Sequence, residues 1–436
     1  MARSRKMHLA AYLKTAPTAS YAAGWRHPAA TLNDIWTPQR YEHIARVLED
    51  ARFDVAFFAD GLGVPDIYRG SFADYLGRGG QTSLLDPMVV LPLMARVTSR
   101  LGLAPTMSTT FNGPYQLARS LGSLDLLSGG RAAWNVVTSA TEFEARNCGM
   151  EGLPPKDQRY DRADEVLEAC FALWSGWDAD AVVLDREGGQ FIDTSKVRYA
   201  DYQGRYVSVR GPLSIPRSAQ DRPVVMQAGS SPRGRAFAAR WAEIIFCSHA
   251  TREDAQRYYA DMHARIEEAG RVAEDCKILP SFSVVLGETD SIARERAAYL
   301  DTLVDPELVM ASSSELLGVD LSTIETEEQA EAAAGTQGIA GSRQRMGQVA
   351  RAQGISFAQA VRKPRGLIAG TPKMIADIME DWFTSGACDG FVLPPTVFPT
   401  TLEEFGRMVV PELQRRGLLR REYAGTTLRE NLRNPG

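Results

Sequence analysis

Short apolar runs rich in β-favouring residues recur along this chain, separated by longer stretches with a helical pattern of apolar and polar positions. The runs that read as strands are 7–13 (MHLAAYL), 54–59 (DVAFFA), 101–106 (LGLAPT), 131–138 (RAAWNVVT), 223–228 (PVVMQA), 243–247 (EIIFC), 277–285 (KILPSFSVV) and 390–394 (GFVLP). Eight strands alternating with helices is the count of a closed parallel barrel. The expected fold class is α/β, a (β/α)8 TIM barrel with insertions, forming one domain over 1–436. Several predicted helices open with a capping residue followed by Pro: Thr37-Pro38, Asp86-Pro87, Gly113-Pro114, Ser231-Pro232 and Thr371-Pro372. Pro is tolerated there because the N–H it lacks has no partner inside the helix.

Two stretches depart from the alternation. Residues 178–222, rich in Gly, Tyr, Val and Asp, read as strands and turns outside the barrel. Residues 304–367 lie between strands seven and eight and are mostly helical in pattern, with breaks at Gly335, Gly338 and Gly341. An insertion of that length at a barrel mouth is expected to act as a lid.

Composition narrows the function classes. The 436 residues are 44% hydrophobic and 24% charged, with a net charge of −5 and the two signs interleaved. Neither a nucleic-acid-binding stripe nor a basic amphipathic segment for a membrane surface is present. The basic N-terminus (MARSRKMHLAAYL) faintly resembles an export signal, but Lys14 breaks its apolar run, so it reads as the first strand. No run reaches the ~18 apolar residues that cross a bilayer. Five scattered cysteines without a C-x-x-C pair point to a reducing, cytoplasmic setting, with no disulfide framework and no zinc site. His8, His43, His249 and His263 lack metal-ligand spacing, so no metal is expected. A dinucleotide fingerprint is also missing: Gly61-x-Gly63 lacks the third glycine, and Gly129-Gly130 precedes a strand instead of following one. Any reducing equivalents must then come from another protein.

Candidate chemistry clusters at predicted strand ends. Trp134-Asn135-Val136-Val137-Thr138-Ser139 is an apolar strand that turns abruptly polar, as in a barrel that holds a flat polar cofactor at its mouth. Thr106 ends the preceding strand, beside Asn135. A threonine in a strand is ordinary, whereas a buried Asn needs a polar client. Gln227-Ala228-Gly229-Ser230-Ser231-Pro232 joins strand five to a helix. Its hydroxyls stand beside unpaired N–H groups, which suits an anion such as phosphate, although plain capping by Ser231 explains the pattern equally well. Asp60 before Gly61 reads either as an Asx turn or as a ligand contact. Tyr160 is placed on the first turn of the helix that begins Arg159-Tyr160-Asp161-Arg162-Ala163-Asp164-Glu165, where the acids alone suit a solvated helix start.

Together the Q-A-G-S-S and R-Y-D-R-A-D-E motifs, with Trp25-Arg26-His27-Pro28, resemble the bacterial luciferase-like, two-component flavin monooxygenases. The branch is that of nitrilotriacetate monooxygenase, dibenzothiophene-sulfone monooxygenase and pristinamycin IIA synthase. The resemblance runs from His8-Leu9 to Pro411-Glu412-Leu413. It implies a homodimer or homotetramer that receives FMN, as FMNH2, from a separate NAD(P)H:flavin reductase. One atom of O2 then passes, by way of a flavin (hydro)peroxide, to a small organic substrate, with C–S, C–N or C–halogen cleavage among the outcomes.

By the same resemblance Asp60, Thr106, Asn135, Thr138, Ser139, Lys156, Tyr160, Gly229, Ser230 and Ser231 contact the cofactor, and Asn135 and Thr106 hold oxygen. Tyr12, Lys14, Tyr21 and Trp25 are the substrate candidates, with Lys14 also readable as a surface lysine and Trp25 as a core aromatic. Relatives carry a His-His pair where Ser20-Tyr21 stands, and a His where Lys156 stands; both changes put histidine proton transfer in doubt. A deazaflavin (F420) oxidoreductase, a non-catalytic flavin-binding subunit and a hydrolase on the same barrel are the competing readings.

Overall fold

Side chains alternate between two environments along the predicted strands, and that alternation builds the barrel. The computed structural model describes residues 5–17, 21–334, 340–362 and 366–434. Strands β1 (His8–Leu13), β2 (Val55–Phe58), β3 (Gly102–Ser108), β4 (Ala133–Val137), β5 (Val224–Gln227), β6 (Ile244–Cys247), β7 (Lys277–Pro280) and β8 (Gly390–Leu393) form one sheet in the order β7-β6-β5-β4-β3-β2-β1-β8. Every pairing within it is parallel. The ends meet: Asp389 N donates to Ile278 O at 2.9 Å and Phe282 N to Val392 O at 2.9 Å, closing the barrel between β7 and β8.

Ala10, Val55, Phe57, Ala104, Ala133 and Met226 point into the lumen, where they pack together. Their neighbours Leu9, Ala11, Ala56, Phe58, Leu103 and Phe391 point outward against the surrounding helices. This is the period-two rule of a strand buried on both faces. Each large side chain so buried contributes about 1.5–3 kcal/mol. By the same alternation Tyr12, Thr106 and Asn135 stand on the lumen face one step above Ala10, Ala104 and Ala133, toward the C-terminal ends of the strands.

The opposite end of the barrel is shut by the C-terminal segment. Leu428 and Leu432, from the helix Leu428–Arg433, pack into the lumen core. Arg420, fully buried, donates to Asp54 Oδ1 at 2.6 Å, and His8 lies 3.0 Å from the same oxygen. Burial alone would raise the Asp54 carboxyl; Arg420 and His8 outweigh it and hold the group ionised. With its floor sealed, the barrel is open for chemistry only at the strand C-termini.

Three sequence expectations change in detail. Residues 277–285 form two strands: β7 stops at Pro280, which has no N–H to extend the ladder. Val284–Leu286 then pairs in parallel with Ile368–Gly370, a short strand that the pattern did not reveal. β3 runs on to Ser108, so Thr106 lies within it. The five Cap-Pro helix starts occur as read, but Thr37 caps without a side-chain bond; its hydroxyl donates to Asp34 O at 2.8 Å instead.

Within 178–222 lie two antiparallel hairpins, Val182–Asp185 with Gln190–Ile192 and Tyr202–Gln203 with Ser208–Val209. Within 304–367 lie the helices Pro306–Leu317, Glu327–Ala334, Ala340–Gln353 and Phe357–Arg362. They pack through Leu308, Leu317 and Phe357 against Tyr68 and Tyr75 of the loop after β2. Gly335 and Gly338 lie outside the described residues. Among the described residues, no helix is long and apolar enough to cross a membrane.

Candidate active site

The ladder between β3 and β4 sets Thr106 directly opposite Asn135. Thr106 donates its hydroxyl to Phe58 O at 2.8 Å and accepts from Asn135 Nδ2 at 2.9 Å. Asn135 is 4% exposed, and its Oδ1 has no protein partner. An orphan buried acceptor costs about 1–3 kcal/mol. Past Val137 the strand exits through Thr138, whose carbonyl accepts from Thr110 Oγ1 at 2.8 Å. Ser139 follows in the left-handed region, at φ 55°. Its hydroxyl donates to Ser108 Oγ at 3.0 Å, and its carbonyl takes a close hydrogen bond from Arg159. These contacts hold a backbone shape that a non-glycine residue adopts at a cost of about 1–2 kcal/mol.

The turn after β5 is a tight cradle. Gln227 Oε1 accepts from Gly229 N at 2.7 Å, and Ser231 caps the helix Pro232–Trp241 by accepting from Gly234 N. The Tyr160 hydroxyl shares hydrogen bonds with the Ser231 and Thr138 side chains. Its ring packs edge-on against Phe237 at 5.6 Å and beneath Arg233 at 5.4 Å. Burial raises the Tyr160 phenol above its ordinary value, so it remains a neutral hydrogen-bonding group. A Cβ on Gly229 would stand 2.4 Å from Gln227 Nε2 and 2.9 Å from Gly234 Cα; one on Gly234 would stand 2.9 Å from the Tyr160 oxygen. Glycine is required at both positions by close approach. The start of the helix, the Ser231 hydroxyl and the Tyr160 hydroxyl converge at this turn.

Tyr160 differs in position from the sequence reading. The helix begins at Lys156, so Tyr160 opens its second turn and Lys156 sits one turn earlier. Asp60 likewise lies two residues past the end of β2. It lines a cavity of about 280 Å3 at the barrel mouth, together with Lys14, Tyr75, Ser83, Glu144 and Glu315. Burial raises the Asp60 carboxyl above its ordinary range. Lys14 donates to Gln81 O at 2.7 Å. Ala140 and Thr141 line the same cavity, so the stretch 138–141 runs from Tyr160 to the cavity wall.

Of the four substrate candidates, Lys14 alone lines the cavity. Tyr12 packs against Phe57 at 5.4 Å and Phe246 at 6.0 Å inside the barrel. Tyr21 is buried, and its hydroxyl donates to Asp301 at 2.5 Å. Trp25 donates to Arg78 O at 3.1 Å and presses on Gly79. The W-R-H-P motif thus ties the loop after β1 to its neighbours, with Arg26 donating to Leu303 O at 2.6 Å and the His27 ring against Tyr299 at 5.6 Å. Ser20 lies outside the described residues. Sequence reasoning missed Arg159, Glu144 and Glu315. For Glu315 a signal existed: it is the one charge in the ten-residue run 308–317, LVMASSSELL. Among the described residues, no His, Cys, Asp and Glu group is placed to hold a metal ion.

Comparison with known proteins identifies relatives over nearly the whole chain. Residues 18–388 match the profile of a family described as luciferase-like monooxygenase. The chain is 40% identical over 442 residues to dibenzothiophene-sulfone monooxygenase of Rhodococcus erythropolis (strain XP), covering 99% of this chain and 97% of that protein. It is 37% identical over 425 residues to nitrilotriacetate monooxygenase component A of Aminobacter aminovorans, covering 94% and 92%. A crystal structure of a riboflavin lyase with modified FMN and riboflavin superposes with a TM-score of 0.87 at 31% identity, covering 98% of this chain and 96% of that one.

Proposed function

We propose that this chain, which belongs to the luciferase-like monooxygenase family and is a flavin-dependent monooxygenase, works with reduced FMN as the oxygenase component of a two-component system. The residues present fit that cofactor. The cradle formed by Gly229, Ser230, Ser231, Gly234 and Tyr160 would take the phosphate, and this cradle is the observation that carries the reading. Lys156 stands one turn from Tyr160 and would add a positive charge near the phosphate. Thr138, Ser139 and Asp60 would border the ring, with Thr106 and Asn135 on the lumen side of it. When bound, the reduced flavin supplies the electrons that activate O2.

The chain's own residues then have definable work. Ser231, Tyr160 and the helix N-terminus bind and orient the phosphate. The orphan Asn135 Oδ1 accepts a hydrogen bond from the bound group, and the Thr106 hydroxyl keeps the Asn135 amide in place. The helices within 304–367 act as a lid that keeps water from the reacting atoms. Placement of Glu315 and Leu316 on the cavity wall supports that role.

The lack of a dinucleotide fingerprint supports delivery of FMNH2 by a separate NAD(P)H:flavin reductase. All five cysteines are free, which supports a reducing, cytoplasmic setting. Val89 and Leu127, 68% and 78% exposed on neighbouring helices, support association into a dimer or tetramer. The substrate is a small, partly apolar organic molecule. Anaerobic titration with FMNH2, followed by mixing with O2, tests the reading. Saturable binding that weakens in Ser231→Ala and Tyr160→Phe is expected; a protein that binds no reduced flavin would refute it.

A further inference from the structure

Glu315 is a carboxyl group placed where a negative charge is hard to hold. It sits in the last turn of the helix Pro306–Leu317, whose start is capped by Asp305 and whose end turns through Gly318 at φ 72°. A carboxylate at a helix C-terminus opposes the helix dipole. Glu315 Oε2 is buried with no hydrogen-bond partner, while the residue itself lines the 280 Å3 cavity.

The charged groups that bear on Glu315 come from several elements. Glu144 lies on the helix after β4 and Asp66 on the loop after β2, and both repel a negative charge there. Lys14, from the end of β1, attracts one, but its ammonium is already bonded to Gln81 O. Asp60 and Tyr75 complete the titratable wall of the cavity. Burial first, then Glu144 and Asp66, push the Glu315 carboxyl up to about 8. Near neutral pH it is therefore a carboxylic acid with a proton to donate. The remaining wall mixes the apolar Pro65, Ala140, Phe143 and Leu316 with the uncharged polar Gln81, Thr82, Ser83 and Thr141.

Resting on the flavin site proposed above, we propose that this cavity is the substrate chamber. Glu315 is its positioning residue: its O–H donates a hydrogen bond to an acceptor oxygen of an uncharged, partly apolar substrate such as a sulfone, sulfoxide, amide or ketone. The acidic side chains of Glu144 and Asp60 on the same wall disfavour anionic molecules of similar size. The helix Pro306–Leu317 supplies the donor, Glu315, and part of the wall, Leu316, together.

Calorimetric binding of three size-matched probes, methyl phenyl sulfone, benzylamine and benzoate, tests this in the wild type, Glu315→Gln and Glu315→Leu. The sulfone should bind the wild type best of the three, about tenfold more tightly at about pH 6.5 than at about pH 9.5. Glu315→Gln keeps an N–H donor and should hold the low-pH affinity at both pH values. Glu315→Leu should lose about tenfold at the lower pH and show no pH dependence. Sulfone affinity unchanged in Glu315→Leu would overturn the assignment. So would tightest binding of benzylamine at about pH 6.5, because that marks a carboxylate already ionised there. FMN titration of the same proteins separates the two ideas. Normal flavin binding with a failed probe pattern removes only the Glu315 role; the expected probe pattern without flavin binding removes only the cofactor reading.

Discussion

Replacing Gly234 by Ala tests the phosphate cradle with a single methyl group. Gly234 is the third residue of the helix Pro232–Trp241. In an ordinary helix interior, Ala is about 1 kcal/mol more favourable than Gly. Here the added Cβ would lie 2.9 Å from the Tyr160 oxygen, 3.0 Å from Gly229 Cα and 3.2 Å from Ser231 Oγ. Ordinary carbon contacts begin at about 3.5 Å. The tyrosine hydroxyl can retreat, but the Gly229 backbone is held by its bond to Gln227. Overpacking of this kind costs roughly 1–3 kcal/mol. Set against the gain in helix propensity, the net loss of stability should be no more than about 2 kcal/mol. The protein should therefore fold, with Tyr160, Ser231 and the turn displaced by several tenths of an ångström. Affinity for FMN should fall by at least about tenfold, equivalent to about 1.4 kcal/mol. Urea denaturation would report the first quantity and anaerobic flavin titration the second. Wild-type flavin affinity in a protein shown to carry the substitution would mean that the phosphate binds elsewhere.

Other expectations concern the oxygen side of the site, the barrel floor and a buried acid. Asn135→Ala should still bind flavin, with affinity lowered by no more than about tenfold, while lowering product formed per flavin oxidised by roughly 100-fold; coupled oxygen uptake and product assays would show it, and unchanged coupling would remove the role given to the amide. Arg420→Met leaves Asp54 buried beside His8 and should destabilise the fold by roughly 3–5 kcal/mol in urea melts; a loss below about 1 kcal/mol would mean that water reaches the floor. Asp125 is wholly buried and held by Ser218, Gln220 and Ala132 N, and burial raises its carboxyl to about 6. Its folded pKa exceeds the unfolded value of about 3.9, so the folded state binds more protons between them and stability falls as pH rises through that window. Asp125→Asn should flatten the fall, and identical pH profiles in the two proteins would contradict it.

Much of the barrel was legible because local rules decided it. Apolar runs such as VAFF and GFVL are buried on both faces, and the Pro after a capping residue marks helix starts. Ser231 could be read as a cap from three letters, since capping needs only neighbours. The strand Ile368–Gly370 was invisible because its three residues gain their state from Val284–Leu286, far away along the chain. Tyr160 was set a turn too early because nothing local forces the helix to wait for Arg159; the chain enters it at Lys156. Glu315 carries an uncommon charge in its helix, but its meaning depends on Glu144 and Asp66, which sequence spacing does not bring near it. The orphan oxygen of Asn135 required coordinates, because only they show that Thr106 satisfies one end of the amide and leaves the other.

The seam of the barrel joins its first strand to its last, with His8 opposite Gly390. During synthesis β1 leaves the ribosome long before its partner exists. At ~5–20 residues per second the wait is on the order of tens of seconds. Throughout it, an apolar edge stands open to any other nascent chain. The floor residues Arg420, Leu428 and Leu432 are made later still, so truncation ahead of Arg420 would release a barrel that has its mouth but never closes beneath.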